Sequence, residues 1–105
     1  ASDVYKRQVT VNVSDEIHDQ WINWMKEDHI PKVLSTNLFV SASLNRIISN
    51  KDTGTTYAIA YKIESLSLLQ KYETEFAPKL RIEYGSKFLD KAPAFRTIMQ
   101  VEDEF

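Results

Sequence analysis

Residues 9 to 25 constrain the fold more than any other stretch of the chain. Val9, Val11 and Val13 alternate with Thr10 and Asn12, the two-residue period of a half-buried strand. The apolar period then changes. Ser14 offers a helix N-cap, and Asp15 and Glu16 put negative charge on a first turn. Ile17, Trp21, Trp24 and Met25 follow on one stripe of an amphipathic helix. Neither a one-sided strand nor a one-sided helix buries its apolar side alone, so the helix must pack back on a sheet.

The same two periods return downstream. Leu38 to Ile48 reads as a second strand, Ser49 to Gly54 as a turn cluster, and Thr55 to Ile63 as a third strand. Tyr57, Ile59, Tyr61 and Ile63 share one face of that strand. The short connection makes strands two and three an antiparallel hairpin. Ser65 and Ser67 are cap candidates for a second helix with the stripe Leu69, Tyr72, Phe76 and Leu80. Pro78 would remove the N–H that bonds the Thr74 carbonyl, which predicts a kink or a restart. Gly85 is expected to end or loosen the second half. Pro93 opens a final strand, Ala94 to Val101, and the acidic run Glu102-Asp103-Glu104 is expected to be solvated. The order β-α-β-β-α-β is the ferredoxin-like arrangement: an α+β fold, with an antiparallel sheet carrying both helices on one face.

Helices on one face leave the other to be covered. In strand two, Phe39, Ser41, Ser43, Asn45 and Ile47 point one way, and Val40, Ala42, Leu44 and Ile48 the other, with Arg46 among them. In strand four, Phe95, Met99 and Val101 oppose Ala94, Arg96 and Ile98. Strands two and four thus offer apolar groups to both faces. Covering the second face with a copy of itself is the simplest solution, so a homodimer is expected.

A chain of 105 residues is one domain's length. Its net charge of −2 and scattered basic residues argue against a nucleic-acid partner. With no cysteine, a disulfide scaffold and a thiol nucleophile are excluded. His18 and His29 would stand ~16 Å apart on a regular helix and could not share an ion, so no metal is expected. No apolar run reaches the ~20 residues of a membrane span, and with no signal peptide recognised the cytoplasm is the expected location. Asp3 to Gln8, DVYKRQ, is the peptide that a transposon-end adapter of sequencing libraries encodes. Residues 1–8 are therefore set apart as a non-native or disordered segment. Residues 9–105 are expected to form the single domain.

Several stretches carry a family resemblance: Val9 to Phe39, with Trp21-Ile22-Asn23-Trp24-Met25 and His29-Ile30-Pro31 as its most specific part; Thr56 to Tyr61; Ala77 to Arg81; and Ala94 to Thr97. Together they resemble the DUF4286 family, a bacterial group of small proteins of unknown function that is similar to the dimeric α+β barrel superfamily. The resemblance implies a fold and a dimer, and no activity or cofactor. Where the family often shows Gly-Asp-Lys before the last strand, this chain has Leu89-Asp90-Lys91. Leucine does not readily take the positive φ open to glycine, which puts the shape of that loop in question.

His29 is the leading candidate functional group. Pro31 cannot donate to the Glu27 carbonyl and disfavours helical geometry at Ile30, so the helix is expected to break or bend there. An imidazole at such a place can act as acid, base or ligand; the alternative is that it bonds a freed carbonyl and fixes the bend. Proteins of the superfamily carry His-x-Pro near a pocket between helix and sheet, which implies the same place for His29. Trp21, Tyr61 and Arg46 complete the expected small-ligand set, although aromatic residues at such spacings are more often core. Arg46 and Arg96 each sit mid-strand among apolar neighbours and need a carboxylate, such as Glu64, Asp90 or an acid of a partner chain, or an anionic ligand. His18 is read as a surface or helix-start residue. Three functions stay open: a small-ligand-binding homodimer, a cofactor-free monooxygenase or isomerase using His29 as acid–base, and a structural or protein-interaction module.

Overall fold

The computed structural model describes residues 4–49 and 53–105. Four antiparallel strands form one sheet: β1 (Tyr5–Val13), β2 (Ser41–Arg46), β3 (Thr55–Ile63) and β4 (Ala94–Gln100), in the order β2-β3-β1-β4. The helical segments are α1 (His18–Trp24), α2 (Ile30–Leu34), α3 (Leu66–Glu75) and α4 (Ala77–Phe88). The fold is ferredoxin-like α+β.

The sheet register follows the alternation. Val11 lies opposite Tyr57 and Val9 opposite Ile59, while Arg96 faces Val9 from the other side. Val11, Val13, Tyr57, Ile59, Tyr61 and Ile63 are all buried toward the helices, which close the core with Trp21, Met25, Val33, Leu69, Tyr72 and Phe88. β1 begins earlier than the valine alternation suggests. Tyr5 and Arg7 continue its buried side, and residues 5–8 are paired with both β3 and β4.

β2 is shorter than the span Leu38 to Ile48. Phe39 is buried just before it, its ring 5.2 Å from Tyr61 and 4.8 Å, edge-on, from Tyr72. Core packing of that ring takes precedence over a longer strand. Of the expected turn cluster, residues 50–52 lie outside the described residues. Gly54 has φ 80°, and a Cβ there would come within 2.6 Å of the Val13 carbonyl oxygen, so this position requires glycine.

The helix ends divide the expectations. Ser65 caps α3, its Oγ accepting from the Leu68 amide at 3.1 Å. Pro78 restarts the second helix as α4, in the first turn where its missing N–H costs nothing. Gly85 does not end α4, which runs on to Phe88. Leu89 keeps helical φ and ψ of −51° and −44°, so leucine in place of glycine brings no strain to that loop. Ser14 caps nothing with its side chain. Its amide instead donates to the Lys91 carbonyl at 3.0 Å, beside the Lys91–Glu16 ion pair at 2.6 Å. Two connections of the chain are thereby joined.

The expected break before Pro31 does not occur. Met25–His29 forms a π-helical turn between α1 and α2, with the Ile30 amide donating to the Met25 carbonyl, and Ile30 is fully helical at φ −60° and ψ −44°. Widening the turn accommodates the donor that Pro31 lacks while the helix continues. Such single wide turns recur at functional sites.

Candidate functional site

The wide turn places His29 against a cavity. The cavity occupies about 220 Å³ between the sheet and the helices. Val9, Val11, Ile59 and Ala94 of the strands face Leu80, Gly85 and Leu89 across it. Its polar lining comprises His29, Tyr61, Tyr72, Tyr84 and three arginines, Arg7, Arg81 and Arg96, with no acidic side chain. The ring of His29 stacks on Trp24 at 5.1 Å and lies 5.9 Å from Tyr84. Its Nδ1 is buried with no hydrogen-bond partner among the described residues. The alternative in which His29 bonds a freed carbonyl through that nitrogen is therefore not met. Burial pushes its pKa down to about 4, against a smaller opposing pull from Glu83, so the imidazole is neutral at pH 7.

The walls are pinned from both sides. The Trp21 indole donates to the Tyr84 hydroxyl at 3.0 Å, and that hydroxyl donates to the Ala92 carbonyl at 2.6 Å. Burial pushes the Tyr84 phenol up to about 12 and the Tyr61 phenol higher still, so both stay protonated. Lys32 bridges Asp28, at 3.1 Å, and Glu83, at 3.0 Å, tying α2 to α4 outside the cavity.

The arginines are unequally matched. Arg7 donates from Nε to Glu73 Oε1 at 2.7 Å, and Arg81 pairs with the other oxygen of the same carboxylate. Burial works against the Glu73 charge, but the two guanidiniums outweigh it and hold its carboxyl below the usual range. Arg96 makes no ion pair or hydrogen bond among the described residues. Partial desolvation and the nearby Arg81 and Arg7 hold it below the ordinary guanidinium pKa.

Of the four expected ligand residues, His29 and Tyr61 line this cavity. Trp21 is fully buried behind it, its N–H taken by Tyr84. Arg46 is elsewhere. Its Nη2 donates to the Tyr57 hydroxyl at 3.4 Å, and its guanidinium lies 5.9 Å from that ring. His18 is not a bare surface residue: its Nε2 sits 2.6 Å from the same hydroxyl and its Nδ1 3.0 Å from Asp19. Neither Arg46 nor Arg96 pairs with Glu64 or Asp90 among the described residues. Tyr84 and Arg81 escaped the sequence reading, yet a signal existed. Tyr84 lies one helical turn beyond Leu80, and Arg81 one turn beyond Ala77, once the stripe is re-phased at Pro78. Among the described residues, no three His, Asp or Glu side chains converge on a metal site.

The DUF4286 family, described as a domain of unknown function, matches residues 4–102. The chain belongs to the DUF4286 family. No curated protein matches it. Solved structures share its fold at low identity. A dimeric ferredoxin-like protein from an uncultured marine organism is 14% identical, with 100% of each chain covered and a TM-score of 0.68. An EthD-like protein from Ralstonia eutropha is 11% identical over 100% of this chain and 97% of that one, with a TM-score of 0.70. A protein from Bacillus cereus, provisionally named an antibiotic biosynthesis monooxygenase, is 10% identical over 97% and 94%, with a TM-score of 0.68. At such identities the likeness is one of fold.

Proposed function

We propose that this DUF4286 protein binds a small, largely apolar molecule in the cavity beside His29 and does so as a homodimer. The observation that carries the reading is the unfilled space itself. A concave space lined by apolar walls with a few convergent polar groups is the usual form of a ligand site. A desolvated histidine at its wall adds to that support. His29 suits a neutral wall group better than an acid–base catalyst: with its pKa near 4 the imidazolium acid is absent at pH 7 and the neutral ring is a weak base. This favours the binding reading over acid–base catalysis. The dimer is supported by the uncovered sheet face, where Phe95 is 64% exposed, and by the dimeric relatives of the same fold.

Heteronuclear NMR titration with indole, a neutral aromatic probe that fits the space, tests the cavity. Shifts confined to His29, Tyr61, Leu80 and their neighbours, with Arg46 unmoved, are expected. Indole that moves none of these resonances contradicts the reading.

A further inference from the structure

We infer that the cavity's ligand is an anion, an apolar body ending in a carboxylate, and that Arg96 is the group that receives the charge. This rests on the cavity being a ligand site and specifies the chemistry it takes. The cavity lining holds three guanidiniums and no carboxylate. Glu73 neutralises one positive charge from outside that lining while serving both Arg7 and Arg81. Two positive charges remain uncompensated: Arg7 is buried at 5% exposure, while Arg81 and Arg96 stand at the solvent-facing side of the cavity. Like charges gathered beside a low-dielectric wall repel each other, and a bound anion relieves that repulsion. Removing Arg7 from the count leaves Arg81 on Glu73, and Arg96 with no ion pair among the described residues, Glu73 acting on it only at a distance.

The apolar part of the ligand follows from the opposite wall. Arg96 lies opposite Val9 on β1 and two residues from Ala94, with Val11 and Ile59 further along the sheet. A guanidinium presents a planar fork that a carboxylate can meet with two parallel hydrogen bonds. An inorganic anion would satisfy the fork and leave the apolar walls against water. A neutral apolar molecule would fill the walls and leave the fork bare. An amphipathic carboxylate satisfies both.

Calorimetric titration of the full chain with phenylacetate and with phenylacetamide, which has the same shape and no charge, separates these cases. Phenylacetate is expected to bind about tenfold or more tightly than the amide, the scale of one charge-assisted contact. In the R96Q variant the two should bind within about twofold of each other. In R96K, which keeps the charge but not the fork, part of the preference should return. Equal affinities in the wild-type protein would overturn the inference and leave the cavity reading standing. Binding of neither probe, with indole also silent, would overturn both. Light scattering on R96Q covers a rival role for the arginine: a variant that loses its dimer while the wild-type protein shows no anion preference would assign Arg96 to an acid of the partner subunit and overturn the inference.

Discussion

At the scale of single residues, His29 makes the clearest demand on experiment. In the unfolded chain its imidazole takes a proton near 6.5, whereas in the folded chain it does so only near 4. Between those values the unfolded state binds more protons. Stability from this group is therefore complete above pH 6.5 and declines as the pH falls toward 4. The gap corresponds to at most about 3 kcal/mol. Chemical denaturation across this range should show the decline, and H29N should flatten it. An NMR midpoint for His29 near 6.5 would contradict the desolvated placement. Gly54 makes the opposite kind of prediction. With φ at 80° and the Val13 carbonyl in the way, G54A should cost about 1–3 kcal/mol in the same assay.

At the scale of elements, α4 is the wall that gives the cavity its shape. Y84F removes one hydroxyl and leaves two groups without a partner, the Trp21 N–H and the Ala92 carbonyl. A loss of about 1–3 kcal/mol is expected by urea unfolding. Gly85 is the counter-case. A Cβ there meets nothing within 4 Å, so G85A should stabilise the protein by about 0.5–1 kcal/mol through helix propensity. Because Gly85 lines the cavity, the same change should weaken indole binding. A variant that is both less stable and unaltered in binding would contradict this placement. The elements were legible in the sequence because apolar period and punctuation agreed: Val11 to Val13, the stripe from Trp21, and the restart at Pro78. The π turn was not legible. Pro31 signalled a disturbance, but whether the chain breaks or widens depends on tertiary packing that holds Ile30 helical. The cavity was half legible. His29 and Tyr61 were named from their own neighbourhoods, but Arg46 and Arg96 look alike along the sequence. Only the sheet order separates them, placing β2 and β4 at opposite edges.

At the scale of the molecule, the open sheet face decides the assembly. It presents Thr10, Ala58, Ala60 and Met99 around Phe95, opposite the side that the helices cover. Light scattering at micromolar concentration should give twice the chain mass, and F95E should shift that equilibrium toward the monomer without unfolding the protein, because Phe95 contributes little to the protomer's own core. A wild-type protein that stays monomeric would remove the dimer from the account. The account's central claim joins that assembly to the cavity, and native mass spectrometry of the purified protein reads both at once. It should show a dimer that carries up to one small-molecule adduct per protomer when phenylacetate is supplied. A bare monomer that takes up no phenylacetate would contradict it.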